Sequence, residues 1–415
     1  MLNVITQIEI QQSDKLVSGR NALLYFDFVC EFEASDSWEN FTNKCSITLP
    51  YSVFYSDVNG RKKLINNIGG FTDSPTFLRG DKVKVTSGYK YFPNGIETVS
   101  TAVIFEGFIA NVTSKKPFTL ECEDYMYLLK QIPAKGGSNN YFSGKKYTVE
   151  KIIQELIDNS EYKGVINVNQ KTQTNIGDYI IEGNMTVMQV LEDLRKNAHL
   201  ESFFRGTELQ IGFLVYDESI AIERELQQKK VFVFQHNIIE EDLIYKRRED
   251  VVLSAVACSF NEIETDKQTK DGQKKTKNER LEVLVYNKNG ELVGVNKEKG
   301  KSFPENKEGE RRTFFFKDVT SADTLIQRAK DKLNDYFYSG YRGTFTTFGI
   351  PFVKQGDNVY LIDKSLPERS GYYKVKSVRY TGGVNGLRQE IELDYKIPKS
   401  QTEIDEIIKK FNDWR

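Results

Sequence analysis

The side chains that most often do chemistry near neutral pH are scarce in this chain. There are two histidines, His199 and His236, and four cysteines, Cys30, Cys45, Cys122 and Cys258. No two cysteines form a C-x-x-C pair, and Cys30, Cys122 and Cys258 fall in the strand-like runs FVCEFE, TLECEDY and AVACSF. That supplies neither the clustered ligands of a zinc site nor the spacing of a disulfide framework. The thiols read as small apolar residues within a sheet. His199 falls at the end of a helical stretch, where the helix dipole favours it. Carboxylates are plentiful, but a glycosidase needs two placed ones, and the alternating surface positions here nominate no pair. One polar motif occurs twice, Arg79-Gly80-Asp81-Lys82-Val83 and Gln355-Gly356-Asp357-Asn358-Val359. Glycine permits a positive φ and aspartate closes an Asx-type turn. Such a carboxylate can also act as a ligand or base, yet neither copy has a companion histidine. Gly80, Asp81, Gly356 and Asp357 are therefore read as structural turn residues. The expectation is a protein without catalytic, cofactor or metal residues, and not an enzyme.

The elements that hold these residues are mostly strands. In LLYFDFVCEFE, Leu24, Phe26, Phe28, Cys30 and Phe32 alternate with Tyr25, Asp27, Val29, Glu31 and Glu33, the period of a strand with one dry face. KCSITLPY, LRGDKVKVTSG, TAVIFEGFIANVTSKK and FTLECEDY follow as short strands between turns, the pattern of an antiparallel barrel or sandwich. The polar stretch between Ser52 and Ser74 reads as an excursion from the sheet. After IPAKGGSNNYFSG the period changes. Thr148 caps a helix with Val149, Ile152, Ile153, Leu156 and Ile157 on one face, and Thr186 with Gln189 forms a capping box for a second. A hairpin turning at Arg205-Gly206 closes this part.

Strands return near Val231. Residues 264 to 312 are rich in Lys, Glu, Gly and Asn; LEVLVYNKNGELVGV predicts a hairpin at Asn289-Gly290, and TDKQTKDGQKKTKNER predicts a solvated loop. Ser321 opens a helix with Ala322, Leu325, Ile326, Ala329, Leu333, Tyr336 and Phe337 at helical spacing, stopped at Gly340. Four more strands and a short amphipathic segment with Ile404, Ile407, Ile408 and Phe411 complete the chain. The domains expected are a β-barrel domain over 1–135, small α+β units over 136–220, a second β-barrel domain over 221–398 with the charged insertion 264–312, and a C-terminal helix over 399–415. The fold class is mainly β with α+β insertions.

Length suits several domains, and 39% hydrophobic residues suffice to give them cores, which excludes wholesale disorder. A formal net charge of −1 offers no global attraction to nucleic acid or an anionic membrane. The N-terminus lacks a signal-peptide pattern and no apolar run is long enough to span a bilayer, so no membrane anchor is expected.

The duplication organises the rest. After each G-D turn comes a strand, then a glycine-centred strand (Phe105 to Val112, Ser370 to Val378), then a strand ending Asp124-Tyr125 or Asp394-Tyr395. Two related β domains are expected, with the α+β units between them, and a chain of that kind can give a pseudo-sixfold ring from three copies.

The run SADTLIQRAKDKLNDYFYSGYRGTFTTFGIPFVKQGDNVYLID, with SGYYKVKSVRYTGG after it, resembles the late-control-protein-D family of tailed-phage baseplate hubs, and is similar to the hub portion of type VI secretion spike proteins. GNMTVMQVLEDLRKNAHLESFFRGTELQIG resembles that family's helical unit before its second barrel. The resemblance covers roughly half of the chain. It implies two tail-tube-like antiparallel barrels, a homotrimer that meets a sixfold tail tube on one side, and a threefold spike or tip on the other. DNA or effectors would pass through the centre without sequence-specific binding. With the sequence ending at Arg415, the spike is expected to be a separate protein. The departure at 264–312 would face other baseplate proteins. The location implied is a virion tail or injection-system particle, assembled in the bacterial cytoplasm. The resemblance carries over no catalytic residues and no cofactors.

Two rivals remain. A tail-tip receptor- or glycan-binding module would use aromatic loops such as GYKYFPNG, residues 88 to 95, whose simpler reading is a packed hairpin tip. A cell-wall hydrolase would need the carboxylate pair that the sequence does not nominate.

Overall fold

A computed structural model describes residues 3–50, 52–65, 76–113, 117–137, 139–170, 174–198, 200–212, 230–268, 274–288, 291–297, 303, 310–316, 319–334 and 336–397, the side chains of 249 and 261–279 excepted. His199 and the helix expected over 399–415 lie outside the described residues. The fold is mainly β with short helices.

The first strands are β1 (Asn3–Gln11), β2 (Leu23–Phe26), β3 (Glu31–Ser37), β4 (Lys44–Leu49), β5 (Val53–Ser56), β6 (Lys62–Ile65), β7 (Lys82–Tyr91), β8 (Thr98–Val112) and β9 (Phe118–Glu123). Alternation holds in β4, where Cys45, Ile47 and Leu49 are buried while Lys44, Ser46 and Thr48 face the other way. LLYFDFVCEFE is not the single alternating strand expected: β2 ends at Phe26 and β3 starts at Glu31, and between them Val29 is buried while Phe28 is 50% exposed, because the chain turns there from one strand to the next. The stretch after Ser52 departs from its expected role. It contains the β5–β6 hairpin, which joins the sheet through Tyr25 opposite Ser56.

The middle of the chain supplies α1 (Met126–Leu129), β10 (Tyr141–Phe142), α2 (Val149–Asp158), β11 (Asn167–Val168), β12 (Tyr179–Ile180), α3 (Val187–Ala198), β13 (Ser202–Arg205) and β14 (Glu208–Ile211). Both helices start where their caps predict. The Thr148 hydroxyl accepts from Lys151 N, and at α3 Thr186 N donates to Gln189 Oε1 while Gln189 N donates to Thr186 Oγ1. Ile152, Ile153, Leu156, Val190, Leu191 and Leu194 form one separate core with the strands beside them.

Next come β15 (Val231–Val233), β16 (Ile238–Lys246), β17 (Leu253–Gln268), β18 (Lys274–Lys288), β19 (Glu291–Asn296), β20 (Glu310–Phe315), α4 (Ala322–Asn334), β21 (Gly340–Phe348), β22 (Asn358–Ile362), β23 (Gly371–Gly383) and β24 (Arg388–Ile397). Strands β19-β18-β17-β20 make a four-stranded sheet of their own. Helix α4 covers it, with Leu325, Ala329 and Leu333 against Ala255, Ala257, Val283 and Val285. Gly294 leaves room for Ile326, whose Cγ2 would lie 2.3 Å from a Cβ placed there.

Two expectations change here. Much of the charged run 265–280 is strand where it is described: β17 and β18 pair as far as Glu264 opposite Thr276 and, past an irregularity, at Gln268 opposite Lys274, while 269–273 lie outside the described residues. A ribbon anchored in a sheet needs only its backbone ladder to continue, and that leaves no hydrophobic period to read. Helix α4 also ends at Asn334 rather than at Gly340, which opens β21. Beyond the helix Tyr336 leaves the helical path to pack on Tyr395, centroids 4.9 Å apart.

The large sheet runs β16-β21-β24-β23-β3-β4-β9-β8-β7-β1-β2-β5-β6, with β22 joined to β23 and β15 to β22. Its pairings are antiparallel except β15 with β22. The repeat is visible as connectivity: β7, β8 and β9 correspond to β22, β23 and β24, β4 corresponds to β21, and β3 to β16. It breaks where β1 lies antiparallel to β7 but β15 parallel to β22. The copies meet at β3 and β23, where Glu31–Ser37 pairs antiparallel with Ser377–Gly383. One core crosses this seam, from Ile8 and Phe32 to Tyr380 and Ile391.

Candidate functional site

The two G-D turns are built alike. Gly80 (φ +92°) and Gly356 (φ +72°) sit in the left-handed region that favours glycine. Gly80 N donates to Ile109 O, and Ile109 N to Asp81 O; Gly356 N donates to Val375 O, and Val375 N to Asp357 O. Each aspartate carboxylate also accepts from the amide three residues earlier, Leu78 N at 2.9 Å and Lys354 N at 2.6 Å. Asp81 is fully buried and accepts both arms of Arg20, at 2.9 and 2.7 Å, besides Ser13 N at 2.8 Å. Asp357 instead meets Lys230, and Arg205 at 3.6 Å. These hydrogen bonds occupy the carboxylates in holding turns.

The remaining chemical candidates are dispersed. His236 lines a cleft beside β16, far in sequence from any cysteine. Cys45 and Cys122 are cross-strand neighbours in the core, and Cys258 is buried in the second sheet. Burial holds the Cys45 and Cys122 thiols well above the ordinary range and pushes Cys258 up to about 12. Among the described residues no group of three His, Cys, Asp or Glu could hold a metal ion. No described helix is long and apolar enough to cross a membrane.

A carboxylate cluster that sequence reasoning missed lies near the seam. Asn43 Nδ2 donates to Asp36 Oδ1 at 3.0 Å, and Asn43 N to Asp124 Oδ2 at 3.1 Å. Burial pushes Asp124 up to about 7 and Asp36 up to about 6, against the cations Lys354 and Arg205, which lower Asp36. The folded chain thus holds these protons more tightly than the unfolded chain. Their stabilising contribution is fully present below about pH 4 and is lost as the pH rises towards 7. Asp124→Asn loses one acceptor but no longer titrates. Its urea midpoint, compared with wild type from acid to neutral pH, moves in the variant's favour as the pH rises; a constant difference would contradict this.

The largest shared feature is the polar face of the long sheet. One row across it reads Glu240, Thr346, Glu390, Arg379, Ser35, Lys44, Glu123. The next reads Phe348, Arg388, Thr381, Glu33, Ser46, Glu121, Asn111, with Asp242, Thr344 and Glu392 on one flank and Glu31, Thr48 and Thr119 on the other. Eight carboxylates face three cations, with hydroxyls between them. Lys130 and Lys376 reach in from the margins, to Glu123 at 2.6 Å and Glu392 at 3.1 Å, so an excess of acid remains. Arg379 grips Glu33 across the seam through two bonds of 2.9 and 2.8 Å.

This sheet has an unfinished end at each copy. Among the described residues strand β16 pairs with β21 on one side only, and Ile244 on it is 59% exposed. Strand β8 leaves β7 at Phe108 and continues to Val112 with β9 alone, whereas β23 at the corresponding point takes up β3. Beside β16 lies a 620 Å3 cleft.

No protein-family model matches the chain, and no curated protein matches it. Solved structures do. The tail protein from Neisseria meningitidis MC58 is similar over 95% of this chain and 97% of its own, with a TM-score of 0.52 and 12% identity. The chain has the fold of that tail protein. The 43 kDa tail protein of prophage MuSo2 from Shewanella oneidensis gives a TM-score of 0.49 at 12% identity, over 94% of this chain and 98% of that one. Prophage tail protein gp18 from Listeria monocytogenes EGD-e gives 0.44 at 10%, over 97% and 98%.

Proposed function

We propose that this chain is the structural hub of a phage tail baseplate or a related contractile injection system. Three copies form a pseudo-sixfold ring that joins a sixfold tail tube to a threefold spike or tip. The observation that carries this is the β3–β23 seam: one chain already joins two equivalent β modules edge to edge and, among the described residues, leaves an equivalent unmatched edge at each end. An interface of that kind is heterologous, and repetition closes it into a ring when the rotation per module is right. Six modules from three chains match a sixfold tube.

The polar face suits the inner wall. Its acidic excess repels a polyanion, and its three cations are outnumbered by carboxylates, with Arg379 held by Glu33, so DNA or an effector passes without sequence-specific binding. The G-D turns serve as structural hinges of each module, with no catalytic role. The ribbon formed by β17 and β18 stands beyond its sheet and is the contact for other baseplate proteins. The particle is a virion tail or injection apparatus assembled in the bacterial cytoplasm.

A tail-tip glycan-binding role finds less support. In GYKYFPNG, Tyr89 is buried with its hydroxyl on Leu387 O at 2.7 Å, and only Phe92 of the three rings is exposed. Light scattering with negative-stain imaging tests the ring; tube and spike proteins added to the same sample test its partners.

A further inference from the structure

We propose that Cys45 and Cys122 form a reversible disulfide, by exchange with a small disulfide such as oxidised glutathione, that ties β4 to β9 once the protein leaves a reducing environment. The inference concerns the first module alone and is independent of the ring.

The spacing of the cysteines along the chain names no pair, but the register of the sheet does. Cys45 on β4 and Cys122 on β9 stand directly opposite each other in an antiparallel ladder that runs from Lys44 opposite Glu123 to Leu49 opposite Phe118. Opposite residues point to the same face, and here it is the core face: the two are 2% and 1% exposed and share one core. Both are free thiols. The other two cysteines are placed apart, Cys30 just before β3 and Cys258 opposite Glu282 in the second sheet.

The type of pair sets the geometry. Asp124 N donates to Asn43 O at 3.0 Å, so 43 and 124 occupy a hydrogen-bonded position, and so do 45 and 122 two residues along. The Cα atoms of such a pair stand about 5.5 Å apart, within the roughly 4.4–6.8 Å that a disulfide spans. Their Cβ atoms stand about 4.5–5.5 Å apart, against about 3.5–4.5 Å in a disulfide. The strands therefore draw together by about 1 Å when the bond forms, and the resulting strain makes the bond easier to reduce. A strained bond of this kind stays open against a cytoplasmic thiol pool and closes outside it.

Burial sets the pace. The thiolate is the attacking species, and burial holds both thiols well above the ordinary range. Exchange runs through opening of the β4–β9 ladder. One cysteine thiolate attacks oxidised glutathione and releases the first reduced glutathione; the other then attacks the mixed disulfide and releases the second. Two protein thiols and one glutathione disulfide become one protein disulfide and two glutathione thiols, which carry away both protons and both electrons. The closed bond restricts the unfolded chain and fixes the ladder beside the Asn43–Asp124 contact.

The test uses the full chain, held folded with oxidised glutathione and, in parallel, refolded from urea in glutathione buffers of oxidising and reducing poise. Free thiols are counted after unfolding, and the peptides are mapped by mass spectrometry. Under oxidising poise two of the four thiols are lost and one peptide pair joins Cys45 to Cys122; under reducing poise all four remain. The urea midpoint of the oxidised protein lies above that of the reduced protein and returns on adding dithiothreitol. Cys30→Ser with Cys258→Ser keeps this shift, and Cys45→Ala removes it. Where the substituted chains fail to fold, the wild-type peptide map decides. Four free thiols after refolding under oxidising poise, or a bond that maps to Cys30 or Cys258, overturns the inference. A Cys45–Cys122 bond that lowers the midpoint overturns it as well, since the strands would then be forced apart from their native ladder rather than tied.

Discussion

Replacing Arg20 by alanine destabilises the protein by about 3–5 kcal/mol, because it leaves the Asp81 carboxylate buried without its cation. The guanidinium is 4% exposed and does more than neutralise charge. It forks onto both carboxylate oxygens and also donates to Ser13 O at 3.0 Å and Thr76 O at 2.9 Å. It therefore ties the β1–β2 connection, the approach to the first G-D turn and the turn itself into one unit. Arg20→Lys keeps the charge but not the fork, and falls between wild type and alanine. The matching change at the second turn, Lys230→Ala, costs less, since Asp357 keeps the nearby Arg205 and is partly open to water. Urea unfolding of the three variants checks the order; equal losses at the two turns would show that Asp81 is not specially dependent on Arg20.

Gly383→Ala opens the seam. Gly383 has φ +138°, and a Cβ there would stand 2.3 Å from the Cys30 carbonyl oxygen and 2.8 Å from the Glu31 Cα. Backbone atoms cannot rotate aside, so β23 must move off β3. Left-handed strain of about 1–2 kcal/mol and overpacking of about 1–3 kcal/mol add to a loss near 2–5 kcal/mol. Gly386→Ala is the control, with φ +93° but nothing nearer than the flexible Arg388 guanidinium at 3.4 Å, and it loses only the strain. Limited proteolysis between the modules rises for Gly383→Ala and not for Gly386→Ala. A variant as protease-resistant and as stable as wild type would mean that the seam tolerates a wider spacing.

Local features of this fold were legible in the amino-acid order. Strand patterning located β4 and β8 but ran β2 and β3 together, the caps at Thr148 and Thr186 located both middle helices, and the repeated G-D turns pointed to equivalent strands. Pairings between distant segments were not legible. Arg379 and Glu33 are 346 residues apart and carry no local signature of their contact. Arg20 looks like any loop arginine until β1 and β7 bring it over Asp81. The β17–β18 ribbon escaped because its sequence, TDKQTKDGQKKTKNER, holds no apolar residue from which a period could be read. The second sheet under α4 escaped because its strands alternate with long polar connections. As for the candidate site, the turn residues were visible, but the acidic face emerges only when the register of eight strands aligns its rows.

The central claim is the three-copy ring, and the direct measurement is solution mass by light scattering with negative-stain images of the same peak. The account predicts a mass three times that of the chain and rings with a central opening. A chain that remains monomeric, and that ignores both tube and spike proteins when they are added, would contradict it.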